Sequence, residues 1–137
     1  MPGAALISII DDDQSLREAV KALMRSLGLT AETFASAEDF LNSDSLHRTA
    51  CLIVDVQMPG MSGPDLHHRL VTSGKPIPTI LITAYPDNRA RARALQAGVI
   101  GYLAKPFEES DLLACIRSAI GDAGGGGKDP RDSALPG

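Results

Sequence analysis

Short, continuous apolar runs alternate along the chain with longer segments whose apolar residues recur every three or four positions. The runs are typical of strands buried on both faces of a parallel sheet, and the longer segments of amphipathic helices. The predicted strands are 5–10, 30–34, 50–55, 79–83 and 99–103. Helices are predicted over 14–27, from 36 to about 42, after Ser62, over 87–97, and between Phe107 and Gly121, with a loop over 43–49.

Five alternations of strand and helix predict an α/β fold, in which one all-parallel sheet carries helices on both faces through right-handed crossovers. The expected strand order is 2-1-3-4-5. In that order the first and third strands are neighbours at the point where the winding of the sheet reverses. Ligands of open α/β sheets bind beyond the carboxyl ends of the strands at this point, so the residues that follow strands one and three are the first candidates for a site.

The helix patterns also predict caps and inward faces. Asp13, Ser36 and Ser62 stand where N-caps are expected, the second with the capping-box spacing to Asp39. The third helix is expected to bury an apolar stripe, and the fourth to bury only small residues beneath an outer face of arginines, which would anchor it weakly. These inward residues are Leu66, Leu70 and Val71 in the third helix and Ala90, Ala94 and Ala97 in the fourth.

Composition narrows the class of protein. The chain has 137 residues, 44% hydrophobic and 22% charged, which suits a single globular domain over 1–121. Its formal net charge of −4 argues against nucleic-acid binding, which needs a basic surface. The start lacks the basic region of a signal peptide, and the apolar run 4–10 is too short to span a bilayer, so we expect no membrane association and a cytoplasmic location.

Two cysteines and a glycine-rich end have simple interpretations. Cys51 and Cys115 lie among apolar neighbours, and we expect both to be buried free thiols. Residues 122–137 combine Gly, Pro and small polar residues without an apolar face, which predicts a disordered tail or linker. This segment does not form a phosphate-binding loop, because Asp122 stands where the first Gly is required and Asp129 where Ser or Thr is required.

Four strand ends deliver polar side chains to one edge of the predicted sheet. The residues are Asp11 and Asp12, Asp55, Thr83 and Lys105. Clustered carboxylates repel unless a cation joins them, and a set of oxygen ligands suits Mg²⁺ better than zinc. Mg²⁺ held this way keeps positions for phosphate oxygens, and an aspartate can be a covalent nucleophile toward phosphorus, so the pattern predicts phosphoryl transfer with Asp55 as acceptor.

From about Ala5 to Ile120, the chain resembles the receiver domain of two-component response regulators, whose fold is a flavodoxin-like (βα)5 three-layer sandwich. The matching segments are IIDDD over 9–13, IVDVQMPGMSG over 53–63, ITA over 82–84 and AGVIGYLAKPF over 97–107. Each segment is a weak signal by itself, and the four together are very specific.

The resemblance implies that Asp55 takes a phosphoryl group from a sensor histidine kinase or a histidine phosphotransfer protein. Mg²⁺ is then held by Asp12, Asp55 and the backbone carbonyl of Gln57, with Asp11 acting through a bound water. Thr83 and Tyr102 form a switch pair that passes the change to an output domain or protein. Lys105 pairs with the phosphoryl group, and its bond to Pro106 is expected to be cis. The resemblance also implies that the protein is not an enzyme, although it promotes its own phosphotransfer and dephosphorylation.

Several points stay open at the level of the sequence. Gln57 and Tyr85 occupy places that influence the phosphoryl lifetime in the family. We expect the partner surface to consist of the weakly anchored helix over 87–97, the strand after it and the last helix, and to include Arg89, Arg91 and Arg93. The sequence leaves open whether phosphorylation also produces a homodimer. His47, His67 and His68 are expected on the surface.

Two alternative functions remain. A phosphatase of the haloacid dehalogenase kind also forms an aspartyl-phosphate, but it has a second Asp two places after the nucleophile, where this chain has Gln57. A protein-interaction module that works without phosphorylation is the other alternative.

Overall fold

A computed structural model describes residues 5–121, in which every predicted strand and helix is present. The strands are β1 (Leu6–Ile10), β2 (Thr30–Phe34), β3 (Thr49–Asp55), β4 (Thr79–Thr83) and β5 (Gly101–Ala104). The helices are α1 (Gln14–Ser26), α2 (Ala37–Leu41), α3 (Gly63–Thr72), α4 (Asn88–Ala97) and α5 (Glu109–Ile120), and a short 3₁₀ helix spans Asp44–His47. The predicted tail over 122–137 lies outside the described residues.

The five strands form one parallel sheet in the order β2-β1-β3-β4-β5, which confirms the flavodoxin-like fold and the predicted order. In the pairing of β1 with β3, Ile10 stands opposite Val54. Asp11 and Asp55 are each the next residue, so the register itself brings these two carboxylates to the same edge.

Alternating side chains of the strands build two cores, one on each face of the sheet. On one face Leu52, Val54 and Leu81 pack with residues of α2, α3 and α4. On the other face Ile53 and Ile80 pack with residues of α1 and α5. Strands buried on both faces read as continuous apolar runs, which is why β1, β3 and β4 were visible in the sequence.

The predicted caps form. Asp13 accepts hydrogen bonds from the backbone N–H of Ser15 and Leu16. Ser36 accepts one from the Asp39 N–H, but the return bond from the Ser36 N–H to the Asp39 side chain, which the predicted capping box requires, does not form at this helix start. At α3 the reciprocal capping box is complete, since Ser62 accepts from the Asp65 N–H and Asp65 accepts from the Ser62 N–H. The caps at Asp13 and Ser62 start α1 and α3 directly after the loops that carry Asp11, Asp12 and Asp55, whereas the cap at Ser36 starts α2 after the apolar end of β2.

Most boundaries agree with the prediction to within one residue, and two regions differ more clearly. The stretch 43–49 is not a plain loop, because it holds the 3₁₀ helix and its last residue, Thr49, already belongs to β3. The fifth strand begins at Gly101, two residues later than predicted. The Val99 N–H donates to the Ala94 carbonyl and so closes α4 around Gly98, whose φ is +106°, which leaves Val99 outside the strand.

The apolar stripe predicted for α3 was partly wrong. Val71 is 45% exposed, and the inward residues are Gly63, Leu66, His67 and Leu70, which have the spacing of one helical face. His67 was expected on the surface but is buried; His47 and His68 are exposed. The prediction placed His67 on the surface because histidine is polar. Helical spacing alone would have placed it on the buried face.

Helix α4 is weakly anchored, as predicted. Fewer of its alanines are buried than the prediction gave. Ala94 is its buried residue, Ala90 is half-buried, and Ala97 is exposed. Arg89, Arg91 and Arg93 are exposed, as expected. Few buried apolar contacts mean a small free-energy cost of displacement, so α4 is suited to move.

Both cysteines are free thiols. Burial raises the pKa of Cys51 to about 12, with a smaller contribution from Cys115, which makes Cys51 an unreactive core residue. Cys115 is half-buried rather than buried, a correction to the expectation. Within residues 5–121 no helix has both the length and the apolar character that crossing a bilayer requires.

Candidate functional site

Three carboxylates meet at the carboxyl edge of the sheet. Asp11 and Asp12 follow β1, Asp55 ends β3, and one oxygen from each lies within 4.8 Å of the other two. Asp11 and Asp55 are buried and Asp12 is exposed. The edge therefore holds two fixed acids beneath a third that faces solvent.

Lys105 joins this cluster from the loop after β5. Its Nζ donates hydrogen bonds to Oδ2 of Asp11 at 2.9 Å and to Oδ2 of Asp55 at 3.1 Å. Burial alone would lower the pKa of Lys105, but the hydrogen bonds and charges of Asp11 and Asp55 outweigh it, and the pKa lies above its ordinary value. The lysine is therefore a fixed ammonium between two carboxylates. The Lys105–Pro106 bond that follows is cis, as expected.

Backbone groups orient the two buried acids. Oδ1 of Asp11 accepts from the Asp13 N–H at 2.9 Å, and Oδ1 of Asp55 accepts from the Gln57 N–H at 3.2 Å. Each acid thus has one oxygen toward Lys105 and the other toward its own loop. Arg17 also donates to the Asp11 carbonyl oxygen at 2.8 Å, which ties the first turn of α1 to the site.

The loop from β3 to α3 is held by Glu38, which the sequence did not single out, and by Gly63, to which the sequence assigned no packing role. Oε2 of Glu38 accepts from the Met61 N–H at 3.2 Å. Gly63 packs so closely on the end of β3 that a Cβ there would lie 2.6 Å from the Asp55 carbonyl oxygen. A glycine at a helix start beside an acidic strand end was the available signal for Gly63; nothing in the sequence pointed to Glu38.

Thr83 ends β4, one position beyond the residue paired with Asp55, and is fully buried. Its hydroxyl donates to Oε1 of Gln57 at 2.9 Å and accepts from the Tyr85 N–H at 2.9 Å. The structure thus places Thr83 at the predicted edge, but bonded to the loop after Asp55. The side chain of Gln57 was missed as a partner, because the spacing of 26 residues gives no local signal.

Tyr102 lies on β5 beside the start of α4. Its ring is half-buried against the core on the α3 and α4 face, and its hydroxyl accepts a hydrogen bond from the Asp87 N–H at 3.3 Å. Asp87 is in turn the N-cap of α4, since its Oδ2 accepts from the Ala90 N–H. Tyr102 is therefore connected to α4, the weakly anchored helix.

The donor set fits a hard divalent cation. Three convergent carboxylates supply anionic oxygens, and none of the nitrogen or sulfur ligands that zinc prefers belongs to the group. The exposed side of the cluster, at Asp12, leaves room for water or phosphate oxygens. The residues present thus suit Mg²⁺.

Comparison with known proteins agrees with this geometry. The family model described as response regulator receiver domain matches residues 7–117. The response regulator protein TodT of Pseudomonas putida is 43% identical over 117 residues, which are 85% of this chain and 52% of TodT. This chain thus spans about half the length of the curated relatives it matches.

Similar solved structures are also those of response regulators. The low-resolution structure of the response regulator StyR matches with a TM-score of 0.79 and 40% identity, covering 86% of this chain and 60% of that one. The crystal structure of FixJ-N matches with a TM-score of 0.76 and 28% identity, covering 87% and 95%. The chain therefore belongs to the response regulator receiver domain family. This membership favours the receiver hypothesis over a haloacid dehalogenase phosphatase.

Proposed function

We propose that this domain is the phosphoacceptor of a two-component signalling system and that Asp55 takes the phosphoryl group. The observation that carries the proposal is the Asp55 carboxylate, fixed at the carboxyl edge of the sheet within 4.8 Å of two other acids and bonded to Lys105 at 3.1 Å. The donor is a phosphohistidine on a sensor histidine kinase or a histidine phosphotransfer protein.

In the reaction, a carboxylate oxygen of Asp55 attacks the phosphorus atom. The new O–P bond forms as the N–P bond of the phosphohistidine breaks, and the leaving imidazole keeps the electron pair and takes a proton. Lys105 stabilises the added negative charge, and it is already in place, so little reorganisation is needed. The protein acts stoichiometrically on itself; hydrolysis of the acyl phosphate then ends the signal.

Mg²⁺ would be held by Asp12, Asp55 and the backbone carbonyl of Gln57, with Asp11 acting through a bound water. When bound, it neutralises charge on the phosphoryl oxygens and orients them. The cluster itself supports this assignment, because two buried carboxylates and a third beside them carry more negative charge than Lys105 alone balances.

Thr83 and Tyr102 would be the switch. A phosphoryl group adds about two negative charges and three acceptor oxygens, to which the Thr83 hydroxyl turns. The ring of Tyr102 then moves inward, and its bond to Asp87 at the N-cap of α4 is lost. Movement of α4, β5 and α5 alters the partner surface, so the signal is a shift between two populations.

The partner that receives this change is an output domain or a separate protein. This domain spans about half of relatives such as TodT, and FixJ is named a transcriptional regulatory protein. We propose a cytoplasmic location, no direct contact of this domain with nucleic acid or membrane, and a homodimer that phosphorylation favours through the α4–β5–α5 surface.

The direct test is intact-protein mass spectrometry after treatment with acetyl phosphate and Mg²⁺. The wild type should gain the mass of one phosphoryl group, and Asp55→Asn should gain none. Asp44→Asn, an exposed acid on the 3₁₀ helix, is the matched control and should label like the wild type. An unlabelled but folded wild type would instead support an interaction module that works without phosphorylation.

The metal assignment has its own test. Mg²⁺ titration of the unphosphorylated protein should show one site by the change in NMR signals of the loops after β1 and β3. Asp12→Asn should weaken the site by about tenfold or more, because it removes an anionic ligand. Asp44→Asn should bind Mg²⁺ normally, and equal affinity in the two variants would contradict the assignment.

A further inference from the structure

The single proton of the Thr83 hydroxyl is already donated in this structure. The hydroxyl donates it to Oε1 of Gln57 and also accepts from the Tyr85 N–H, each over 2.9 Å. Since Thr83 is fully buried, no bulk water can take over either bond. The hydroxyl cannot donate to a phosphoryl oxygen on Asp55 until the bond to Gln57 breaks.

We propose that the side-chain amide of Gln57 is a latch that holds Thr83 in the unphosphorylated arrangement. Gln57 is thus a positioning residue that acts through Thr83. The inference rests on the proposed function of Asp55 and deepens it, because it names the contact that must break before the switch can operate.

The two ends of the latch differ in their surroundings. Gln57 is exposed, so its amide can hydrogen-bond to water when the latch opens. Thr83 is buried and has no such replacement, and a buried hydroxyl without a hydrogen-bond acceptor is costly. The latch therefore stays closed until another acceptor reaches Thr83, and a phosphoryl oxygen on Asp55 is the acceptor that the proposed reaction supplies.

The backbone of Gln57 connects the latch to the acceptor acid. Its N–H donates to Oδ1 of Asp55 at 3.2 Å. A phosphoryl group on Asp55 changes the charge and geometry of that carboxylate and so disturbs the residue that carries the latch. Phosphorylation thus acts on both sides of the contact, since it displaces Gln57 and offers Thr83 a new acceptor.

The latch is tested with Gln57→Met, which keeps the length of the side chain and removes the acceptor. Gln96→Met is the matched control, because Gln96 is exposed on α4. In metal-free protein, three-bond couplings of the Thr83 methyl carbon report its χ1 angle. We expect one rotamer in the wild type and in Gln96→Met, and rotamer averaging in Gln57→Met. Gln57→Glu retains an acceptor oxygen and should retain the single rotamer.

The second measurement is the affinity for beryllium trifluoride with Mg²⁺, which mimics a phosphoryl group on the acid. Without the latch, binding should be about three- to tenfold tighter, the range expected for one neutral hydrogen bond. Gln96→Met should bind like the wild type. If Gln57 governed only the access of water to the phosphoryl group, Gln57→Met would change the phosphoryl lifetime but neither the Thr83 couplings nor this affinity.

Unchanged Thr83 couplings in Gln57→Met would overturn the latch, as would unchanged affinity in a variant that still binds beryllium trifluoride. If the wild type bound none of the mimic and took no phosphoryl group, the proposed function would fail instead. The metal-free couplings would still decide whether Gln57 restrains Thr83, so the two failures are distinguishable.

Discussion

Nζ of Lys105 lies 3.1 Å from Oδ2 of Asp55, across 50 positions of sequence. The contact forms because β3 and β5 end at the same edge of one sheet, with β4 between them. The same ammonium is bonded to Asp11 at 2.9 Å, so a single cation bridges the acid that follows β1 and the acid that ends β3. Lys105 thereby fixes the spacing of these two acids.

Replacement of this lysine should destabilise the domain. The exposed fractions of the Lys105, Asp11 and Asp55 side chains are 19%, 0% and 9%. Lys105→Met leaves two carboxylates without their cation, and we expect a loss of about 2 to 3 kcal/mol in the free energy of unfolding, reduced from the fully buried case by the partial exposure of the lysine. Mg²⁺ should restore part of this loss. Urea unfolding in EDTA and in Mg²⁺ measures both effects.

Lys75→Met, which alters an exposed lysine, is the control and should leave stability unchanged. The pKa of Lys105 is raised in the folded state, so its contribution is complete below the ordinary lysine pKa and is lost as the pH rises through the folded value. The difference in the free energy of unfolding between the wild type and Lys105→Met should therefore become smaller at strongly alkaline pH. Equal stability of the two proteins at pH 7 in EDTA would refute the assigned role.

Tyr102→Phe should loosen the start of α4. The change keeps the ring in the core but removes the hydroxyl that accepts from the Asp87 N–H. Loss of this partly exposed hydrogen bond should cost about 0.5 to 1 kcal/mol, which corresponds to roughly two- to fivefold faster amide exchange at the first turn of α4. Tyr85→Phe is the control, since Tyr85 is 73% exposed. Equal exchange rates in both variants would mean that the bond does not restrain α4.

The packing of β5 on α5 depends on the absence of a side chain at Gly101. A Cβ built there would lie 2.6 Å from Sγ of Cys115. Gly101→Ala should therefore cost about 1 to 3 kcal/mol by overpacking. Cys115→Ala removes the opposing sulfur, so the double variant should recover about 1 kcal/mol or more relative to the sum of the single changes. Chemical unfolding of the four proteins gives the coupling energy, and simple additivity would contradict the contact.

His67 should make stability depend on pH in the weakly acidic range. Burial lowers its pKa, and the neighbouring His68 lowers it further. Because the unfolded chain binds the proton more readily, stability should fall as the pH drops through the ordinary histidine range toward the lowered folded value. Protonation would also place a charge in the apolar groove of about 280 Å³ between α3 and α4, which Arg93 borders.

The comparison variants for this prediction are His67→Gln and His47→Gln, the second at an exposed histidine. Denaturation midpoints at pH 7.5 and pH 5.5 should differ less in His67→Gln than in the wild type. His47→Gln should keep the wild-type difference. The reverse order of the two variants would show that His67 is not the group responsible.

Much of the fold was accessible from the chain because fully buried parallel strands are continuous apolar runs. The pattern located β1, β3 and β4, and the caps at Asp13 and Ser62 located the helices after them. The hydrophobic pattern predicted the buried face of α3 less well, because His67 occupies an inward position and Val71 an outward one. The type of a residue is a weaker guide to burial than its place on a helical face.

The sequence by itself determined which side chains reach the carboxyl edge, since Asp11, Asp55, Thr83 and Lys105 each end or directly follow a strand of one parallel sheet. Only the tertiary structure decided how they pair. Lys105 bridges two acids, the Thr83 hydroxyl is taken by Gln57, and Tyr102 contacts the cap of α4. The strands and their parallel direction follow from local periodicity and the helical connections, whereas hydrogen bonds between distant loops depend on distances of a few tenths of an ångström, which no local pattern encodes.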